Sequence, residues 1–572
     1  MFTFYDVEVF KHDWLVVFEK DGQVTRIHND SEGLQAFLST INILVGYNNY
    51  AYDDKIIAAI LRGISPYETS KKIIDGKRFN LRLQNPITLD VMQEIRLGLS
   101  LKEAQANMKE NIIETPIDFD LDRPLTKREL EQVFQYCEND VRTTKELFYK
   151  RESYFISKFE IVKEFKLPAT AIKKTRANLS SEVLSAKPST DKHRLKLTYD
   201  RRLPLDELPK PIIEFYENIQ EDFKNGKTFQ ELEKEKLTYT LHSVPHVFGF
   251  GGLHGALENY TGEGNYMQID ISSYYPSLMI NNDFVTNVDE FKKIYHTRQE
   301  LKQARDAKQE VYKILLNSTY GAMKSKYNKL YNPQQANNVV VNGQLIMAYL
   351  IESIKPACEL IQTNTDGIII KYEKEMKQSI LWLLEMFEKR FNLHFDVDLI
   401  TKIAQRDVNN YVVQYQDGTI AAKGRFANWN GGTYERNSLT IIDKALVDYY
   451  MHGKRINQTV IECWKNKELD RFQHVVKAGK FDGMAHEKKQ KTLLDGTYSS
   501  YFEPIQKVNR VFATNDKMLG AVYKTRNKRE TQYSKVPYTS ENCLVWNDDL
   551  KKLDRRKIDL NWYIKEAERF VF

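Results

Sequence analysis

Alternating apolar and polar positions dominate the first 55 residues. YDVEVF (residues 5–10) has the two-residue period of a strand, and WLVVFEKDGQVTRIH predicts a hairpin that turns at Asp21-Gly22. ITLDVM adds a short strand. From Thr126 the apolar spacing becomes helical, with Thr126 and Glu129 spaced as a capping box. Strands followed by a long helix predict an α/β domain that ends near Arg151.

The rest of the chain mixes helical tracts with strands. A mostly helical connector, rich in Lys and Glu, runs to about Val247 and contains the proline-punctuated stretch RRLPLDELPKPIIEF. A glycine cluster, FGFGGLHGALENYTGEG, precedes the strand YMQIDI. Residues 289–316 predict one polar helical tract, with a helical hairpin as an alternative, and NNVVVNGQLIMAYLIESIKPACELI predicts one long helix. NYVVQYQDGTIAAKGRF predicts a hairpin with Asp417-Gly418 at its turn.

Composition is that of a globular protein. The chain has 572 residues, 42% apolar and 12% aromatic, which predicts two to four domains. Apolar runs such as INILVGY are far shorter than a membrane span, and the first residues carry acids where a signal peptide carries bases. No C-x-x-C spacing occurs among Cys137, Cys358, Cys463 and Cys543. We therefore expect a cytoplasmic chain with reduced thiols, no membrane segment and no structural zinc.

Positive charge is concentrated towards the C-terminus. The net charge is +6, but residues 451–572 contain 25 Lys and Arg against 16 Asp and Glu, a net of +9. The first 450 residues carry −3. A basic surface of this kind suits a phosphate backbone, and a solvated, solubilising face explains the same count.

A first set of acids begins with Asp6 and Glu8, which lie two apart on a predicted strand and so share one face. Charged side chains are rarely buried unpaired, so this pair alone favours a solvent-facing strand. Two later stretches favour a metal site instead. NNYAYDD supplies Asp53, and QYCEND supplies Tyr136 and Asp140 on one helix face.

These three stretches resemble, in order, the DEDD-type 3′–5′ exonucleases of the tyrosine variant, with patterns D-x-E, N-x-x-x-(F/Y)-D and Y-x-x-x-D. The resemblance implies that two Mg²⁺ ions lower the pKa of an attacking water and stabilise the leaving 3′ oxygen, while Tyr136 orients the water. The implied metal ligands are Asp6, Glu8, Asp53 and Asp140. The implied contacts to single-stranded DNA are Asn48, Ser100 and Leu101. Lys109, with Ile112, fits a lysine element of the family, whereas Asp54 and Asp90 are interpreted as a helix start and a strand end.

A second set of acids lies in the middle of the chain. YMQIDISSYYPSLM places Asp270 at a strand end, where an aspartate is ordinarily a turn former. This stretch resembles motif A of the family B DNA polymerases, D-x-x-S-L-Y-P, with Tyr274 in place of Leu. KILLNSTYG (313–321) matches motif B, K-x-x-x-N-S-x-Y-G, although an amphipathic helix ended by glycine is the alternative. TNTDGIII resembles motif C, usually D-T-D-S, with Asn364 in the first position and Asp366 in the second.

Asn364 raises the question whether this second set is complete. Two metals for nucleotidyl transfer need two bridging carboxylates, while the triphosphate and a backbone carbonyl supply further oxygens. Asp270 and Asp366, 96 residues apart, supply that pair. An Asn in the peripheral position keeps the turn and its hydrogen bonds. We therefore expect a competent site, with an inactive polymerase half as the alternative.

Further elements extend the resemblance. Arg298 and Lys302 match the R-x-x-x-K pair that grips the triphosphate. Phe250-Gly251-Gly252 resembles the element that joins exonuclease to palm and contacts template, and Lys423 resembles the lysine of the K-x-Y element at the primer terminus. The implied dNTP-binding residues are Arg298, Lys302, Lys313, Asn317, Tyr275 and Tyr320, with Tyr275 as the steric gate. The implied DNA-binding residues of this half are Gly251, Gly252 and Lys423.

The motif order implies a multidomain α/β and α+β fold: an RNase H-like exonuclease domain and a right-hand polymerase of palm, fingers and thumb. The implied division is exonuclease 1–155, connector and N-terminal palm 156–260, palm with motif A 261–288, fingers with motif B 289–325, palm with motif C 326–430, and thumb with the basic C-terminal region 431–572.

The function that this resemblance implies is a DNA-directed DNA polymerase with a proofreading 3′–5′ exonuclease, of the compact phage or plasmid replicative type. Only 36 residues separate Pro276 from Lys313 and 42 separate Gly321 from Asn364, which leaves no room for the insertions of protein-primed relatives. Two Mg²⁺ per site are implied, with Mn²⁺ as an alternative ion. Implied partners of this monomer in the host cytoplasm are primer-template DNA, dNTPs and other phage replication proteins. The alternatives are an exonuclease with an inactive polymerase half and a non-catalytic DNA-binding protein.

Overall fold

Helices and strands alternate along the whole described chain, which in this computed structural model comprises residues 2–77, 80–96, 98–115, 117–188, 195–491, 498–527 and 531–572. These residues form 17 α-helices and 21 strands in four sheets. The mixed α/β and α+β class expected from the sequence is confirmed. The chain divides into a first unit, residues 1–156, 428–446 and 454–571, and a second unit, residues 157–427, 447–453 and 572.

A five-stranded sheet organises the N-terminal part of the first unit, in the order β3-β2-β1-β4-β5. Its strands are β1 (Phe2–Val9), β2 (Trp14–Lys20), β3 (Gln23–His28), β4 (Ile43–Gly46) and β5 (Ile87–Asp90). The first three are antiparallel, and β4 and β5 run parallel to β1. The predicted hairpin turn is confirmed: Asp21 and Gly22 have φ of 53° and 83°, the left-handed values that a two-residue turn of this kind needs.

Helices flank this sheet: α1 (Ser31–Leu38), α2 (Asp53–Ile60), α3 (Pro66–Ile74), α4 (Leu101–Asn107), α5 (Lys127–Lys150) and α6 (Glu152–Glu164). Helix α5 begins where the sequence predicts, because the Thr126 and Glu129 side chains each accept the other's backbone N–H, as a capping box requires. Apolar side chains of β1 and β2 pack with those of α2, including Val16, Phe18 and Ile57, to form the core beneath one sheet face. Helix α6 leads the chain into the second unit.

The second unit is built on one antiparallel nine-stranded sheet, in the order β14-β13-β12-β9-β11-β10-β8-β7-β6. Its strands are β6 (Leu237–Leu241), β7 (Val244–Phe248), β8 (His254–Ala256), β9 (Tyr260–Ile271), β10 (Glu359–Asn364), β11 (Gly367–Lys371), β12 (Phe395–Asp407), β13 (Asn410–Tyr415) and β14 (Ile420–Lys423). Strand β9, which ends in the second acid set, lies between β12 and β11. It is therefore an interior strand, and both its edges are paired.

The helices of the second unit are α7 (Arg176–Val183), α8 (Lys210–Lys224), α9 (Phe229–Leu232), α10 (Tyr274–Asn281), α11 (Val288–Gln303), α12 (Gln309–Lys324), α13 (Pro333–Ile354) and α14 (Lys377–Phe391). Helices α11 and α12 form the predicted alternative, a polar hairpin. Helix α13 confirms most of the predicted long helix, although the last predicted residues, from Glu359, begin strand β10 instead. Most side chains of α13 are buried.

Two further antiparallel sheets belong to the first unit, in the orders β15-β18-β21 and β17-β16-β19-β20. Their strands are β15 (His474–Lys477), β16 (Gly483–Lys491), β17 (Tyr498–Ile505), β18 (Val508–Ala513), β19 (Leu519–Asn527), β20 (Thr531–Lys535) and β21 (Cys543–Val545). The last helices are α15 (Thr440–His452), α16 (Ile456–Lys465) and α17 (Leu560–Glu568). Among the described helices, none combines the length and the apolar character that crossing a bilayer requires. All four cysteines are free thiols.

Candidate active sites

The first acid set lines one cavity of about 650 Å³ in the N-terminal part of the first unit. Asp6 and Glu8 lie on β1, Asp53 is the first residue of α2, and Tyr136 and Asp140 lie one turn apart on α5. Three elements that are distant in sequence thus bring all four predicted carboxylates and the tyrosine together.

Burial and mutual repulsion dominate the electrostatics of this cavity. Burial, and then the charge of Asp140, raise the pKa of Asp6. Burial, and then the charge of Asp6, raise the pKa values of Glu8 and Asp53 well above their usual range. Carboxylate oxygens are the ligands that Mg²⁺ prefers, and a divalent cation would relieve this repulsion. The donor set therefore fits the divalent ions that the motif resemblance implies.

Cys137 is a neighbour of these acids that the sequence analysis did not assign. Ligand atoms of Asp6, Glu8 and Cys137 all lie within 4.8 Å of one another. Burial raises the pKa of the Cys137 thiol well above its usual value, so the sulfur keeps its proton. The thiol lies 3.4 Å from Asp6 Oδ2 and can donate to it. We interpret Cys137 as a residue that holds Asp6 in position.

Lys102 is a second unpredicted residue of this site. Its ammonium donates to Asp140 Oδ1 at 2.5 Å and lies 4.3 Å from the centroid of the Tyr136 ring. Lys109, which the sequence analysis offered as the lysine of the family, pairs instead with Asp470 at 2.8 Å. Lys102 lies within SLKEA, the stretch that supplied Ser100 and Leu101. In that motif it occupies a position at which any residue is allowed, so the motif did not point to it.

Asn48, Ser100 and Leu101, the predicted contacts to single-stranded DNA, line the same cavity. Asn48 has a left-handed φ of 58°, and its N–H donates to Asp90 Oδ1 at 2.8 Å. Ser100 is the N-cap of α4. Asp90 therefore fixes the loop that presents Asn48.

Asp54 has a purely structural environment. Its carboxylate accepts hydrogen bonds from Tyr5 at 2.5 Å, Asn49 at 3.0 Å and Thr88 at 2.7 Å. These bonds occupy its oxygens, which agrees with its interpretation as a helix start rather than a metal ligand.

The second acid set lines a cavity of about 820 Å³ in the second unit. Asp270 pairs across β9 and β11 with Gly367, the residue that follows Asp366. The N–H of Ile271 donates to the carbonyl oxygen of Asp366 at 2.6 Å. A Cβ placed on Gly367 would lie 1.9 Å from Asp270 Oδ1, so the missing side chain makes room for that carboxylate. Asp270 and Asp366 are thus brought to one end of two adjacent strands.

Acidic neighbours affect Asp270. Burial raises its pKa, against a hydrogen bond of 2.6 Å from Gln268, and the charges of Asp366 and Asp398 raise it further. Asp396 lies opposite Asp270 in the β12–β9 register and lines the cavity. Asp396 was not predicted from the sequence, although the D-x-D spacing of Asp396 and Asp398 on a strand resembles the D-x-E spacing that singled out Asp6 and Glu8. Oxygen donors from two strands and a turn fit a divalent cation here as well.

The turn between β10 and β11 keeps its local bonds with Asn364 in place of an aspartate. Asn364 Oδ1 accepts the N–H of Thr365 at 2.9 Å. Gly252 packs against this turn, because a Cβ on it would lie 2.0 Å from Thr365 Oγ1. The carbonyl of Gly251 accepts a bond of 2.6 Å from Gln344 on α13. The glycine element is therefore fixed beside the turn.

Four cations line the same cavity: Arg298, Lys302, Lys313 and Lys423. The Arg298 guanidinium donates to the Ser273 hydroxyl, and its Nε has no hydrogen-bond partner among the described residues. Lys302 Nζ lies 4.0 Å from Asp396 Oδ2, and Lys313 Nζ lies 3.1 Å from Glu310 Oε1. Helices α11 and α12 contribute the first three cations and β14 the fourth.

Aromatic side chains line the cavity beside these cations. The Tyr275 and Tyr320 rings pack with centroids 4.5 Å apart, and the exposed Asn317 lies one helical turn before Tyr320. Tyr411 also lines the cavity, with Lys423 Nζ 5.6 Å from its ring centroid. The sequence analysis singled out Lys423 but not Tyr411, which lies on the neighbouring strand.

Comparison with known proteins gives partial matches. No protein-family model matches the chain. The chain is 26% identical over 129 residues to DNA polymerase 1 of Saccharolobus solfataricus, which covers 22% of this chain and 14% of that protein. It is 26% identical over 200 residues to DNA polymerase 1 of Sulfolobus acidocaldarius, and this match covers 34% of this chain and 22% of that protein. The chain thus matches less than a quarter of the length of each relative.

One solved structure is similar over most of the chain. It is the family B DNA polymerase from the hyperthermophilic archaeon Pyrobaculum calidifontis, with a TM-score of 0.42 and 12% identity, covering 99% of this chain and 76% of that one. The two DNA polymerase 1 matches give the chain sequence similarity to archaeal DNA polymerases. The phage or plasmid type and the tyrosine-type exonuclease stay predictions.

Proposed function

We propose that this chain is a DNA-directed DNA polymerase, of family B, with a 3′–5′ exonuclease in its N-terminal part. One observation carries the polymerase proposal: Asp270 and Asp366 line one cavity together with four cations and a packed pair of tyrosines. Carboxylates for metal ions beside cations for a triphosphate are what nucleotidyl transfer needs. The partial sequence similarity to archaeal DNA polymerases supports the same function.

In the polymerase half, Asp270 and Asp366 would hold two Mg²⁺. When bound, these ions would supply activation of the primer 3′-OH and stabilisation of the charge that leaves with pyrophosphate. Arg298, Lys302 and Lys313 bind and orient the triphosphate, which competes for their contacts with Ser273, Asp396 and Glu310.

Other side chains of this half select and position the substrates. Tyr275, packed on Tyr320, lies under the deoxyribose and leaves no room for a 2′-OH. Tyr320 and Asn317 line the pocket of the new base pair, and Lys423 contacts the primer terminus. Gly251 and Gly252 allow the template backbone to approach closely.

In the exonuclease half, Asp6, Glu8, Asp53 and Asp140 would hold two further Mg²⁺. When bound, these ions would supply an activated water and stabilise the leaving 3′ oxygen. Tyr136 orients that water. Lys102 partly neutralises Asp140 and fixes its carboxylate. Asn48, Ser100 and Leu101 bind the frayed single strand.

The finer assignments follow from the same reading of the motifs. We infer an RNase H-like exonuclease domain, a palm on the nine-stranded sheet, fingers formed by α11 and α12, and a thumb within residues 431–572. The enzyme is a monomer that serves phage or plasmid replication, with Mn²⁺ able to replace Mg²⁺. Its partners are primer-template DNA, dNTPs and other replication proteins.

A primer-extension gel tests the proposal. A 5′-labelled primer annealed to a longer template is incubated with the protein and Mg²⁺, with and without dNTPs. We expect a longer primer with dNTPs and a shorter one without them. A primer that only shortens supports an exonuclease with an inactive polymerase half. A primer that is bound but unchanged, with or without EDTA, supports a non-catalytic DNA-binding protein.

A further inference from the structure

We propose that the C-terminal region completes the exonuclease site, with Lys477 and Asn437 acting as positioning residues that hold helix α4 in place through Glu103. Neither residue lines the exonuclease cavity. The inference rests on the proposed exonuclease activity. It adds a requirement for two residues that lie more than 300 positions after Glu103 in the sequence.

Helix α4 presents one side to the exonuclease site. Ser100 and Leu101, at its start, line the cavity, and Lys102 donates to Asp140 at 2.5 Å. The side chain of Gln105, one turn later, donates to Thr143 of α5 at 2.9 Å. A displacement of α4 therefore moves two parts of the site at once: the predicted DNA contacts Ser100 and Leu101, and Lys102, which holds Asp140.

The next residue, Glu103, points into the C-terminal region. Its side chain is fully buried, at 0% exposure. Lys477 Nζ donates to Glu103 Oε2 at 2.7 Å, and the Asn437 amide donates to Oε1 at 2.8 Å. The N–H of Ser100 donates to Oε2 at 2.9 Å, while Arg96 lies farther away, at 3.5 Å from Oε1. Burial opposes ionisation of Glu103, but these donors, Lys477 foremost, outweigh it and lower its pKa.

Lys477 also reaches the segment that precedes the helix. Its ammonium donates to the carbonyl of Gly98 at 2.6 Å, and Gly98 lines the exonuclease cavity. Lys477 therefore links the segment just before α4 to the first turn of this helix. A cation that bridges two such points restrains the backbone between them, which includes Ser100.

The C-terminal end of α4 is held by the same region. The Arg510 guanidinium donates to the carbonyls of Ala106 at 3.2 Å and Glu110 at 2.7 Å. The side chain of Gln473 donates to Ala106 O at 3.2 Å, and the N–H of Ile112 donates to Asn547 O at 2.8 Å. Arg510 and Gln473 thus add side-chain donors to the Ala106 carbonyl in the last turn of α4.

Length explains why α4 needs these partners. It has seven residues, and helices shorter than about 12 residues are marginal on their own. Removing Lys477 would leave a buried carboxylate with only part of its hydrogen bonds, which is unfavourable enough to shift the helix. Misplacement by about 1 Å is sufficient to slow a reaction by one to two orders of magnitude.

The test uses Lys477→Met in the full chain, with Lys480→Met as the matched control, since Lys480 is exposed and three residues away. Digestion of a 5′-labelled single-stranded oligonucleotide is measured at saturating DNA. We expect Lys477→Met to lower the maximal rate roughly tenfold, Lys477→Arg to restore most of it, and Lys480→Met to match the wild type. Primer extension should stay within twofold in all three.

A double variant separates positioning from general destabilisation. If Lys477 acts through α4, Lys477→Met should add less than twofold to the loss caused by Lys102→Met. The proposal would be overturned if the losses of exonuclease rate from the two substitutions multiplied in the double variant. It would also be overturned if Lys477→Met lowered primer extension as much as digestion. Asn437→Ala, which removes a second bond to Glu103, serves as the replacement if Lys477→Met does not fold.

Amide hydrogen exchange of residues 101–107 gives a readout that does not depend on activity. We expect exchange there to accelerate at least tenfold in Lys477→Met, with β1 and β2 unchanged. Unchanged exchange would overturn the positioning role. A wild type that digests no DNA would refute the proposed exonuclease, while the exchange experiment would still decide whether Lys477 holds α4.

Discussion

The two acidic centres of this molecule balance their charge in opposite ways. The proposed exonuclease centre gathers four carboxylates, and Lys102 contacts one of them directly. The proposed polymerase centre gathers two predicted ligands, Asp270 and Asp366, in a cavity that Asp396, Glu310 and four cations also line.

The difference follows from what each centre must accept. Cleavage of one phosphodiester brings little negative charge, so the centre can consist almost wholly of carboxylates that await divalent ions. A nucleoside triphosphate brings several negative charges at once, so cations must be present before it arrives. One centre therefore has an excess of acid, whereas the other has as many cations as acids lining its cavity, and this difference fits the substrates proposed for the two centres.

The strongest test of this comparison uses single substitutions that each remove one activity and leave the other. Asp366→Asn should lower primer extension at least about 1000-fold, because one of only two bridging carboxylates is lost. Digestion of single-stranded DNA should stay within twofold. Asp6→Ala should do the reverse. Both are measured on the same labelled primer, and either substitution abolishing both activities would mean that the centres are not separate.

Removing a cation tests the triphosphate interpretation. Lys313→Ala should lower kcat/KM for dNTP roughly 100-fold, since a charge-assisted contact to the triphosphate disappears. Exonuclease digestion should not change.

Lys308→Ala is the matched control for that substitution. Lys308 lies on the same helical hairpin, is exposed, and has Glu164 as its neighbour at 4.0 Å rather than the cavity. It should extend primers within twofold of the wild type. Equal effects at both positions would show that general positive charge, not a specific contact, binds the nucleotide.

Local features of the fold were predictable because their causes lie within a few residues. The turn at Asp21-Gly22 and the start of α5 at Thr126 are confirmed, and so is the helical hairpin of α11 and α12. In each case, neighbouring side chains and backbone determine the geometry.

The composition of the sites was predictable only in part. The resemblance supplied Asp6, Asp270 and Asp366, but it could not supply Lys102 or Asp396. Lys102 becomes relevant through Asp140, 38 residues away, and Asp396 through its register with Asp270. Pairings of this kind depend on the tertiary fold, and no local pattern determines them.

Acidity should affect His246 and the buried acids of the two centres in opposite directions. In the second unit, His246 is buried between Val244 O and Thr363 Oγ1, each 2.8 Å away, and burial lowers its pKa to about 4. The unfolded chain then binds more protons than the folded one between about pH 4 and 6.5, so stability is lost as the pH falls through this range. Raised pKa values of Asp6 and Glu8 favour the folded state on acidification instead.

Comparison of urea unfolding at pH 5 and pH 7.5 measures the histidine contribution. We expect His246→Gln to be less stable than the wild type at pH 7.5, but to lose about 2 kcal/mol less between pH 7.5 and pH 5. Glutamine keeps a donor and an acceptor without a titrating ring. Parallel losses in the two proteins would show that His246 does not protonate on unfolding.

Asn364→Asp has the smallest expected effect of these substitutions, and it tests directly how many carboxylates this centre needs. Its Oδ1 accepts the N–H of Thr365 at 2.9 Å, and a carboxylate oxygen can accept the same bond. Asn364→Asp should therefore extend primers within threefold of the wild type, because Asp270 and Asp366 already form the bridging pair. Asn364→Leu, which removes the acceptor but adds no charge, should lose roughly tenfold. If Asn364→Asp instead raised the rate tenfold or more, two carboxylates would be too few for this centre, and its difference from the four-acid exonuclease centre would reflect a missing ligand rather than a different substrate.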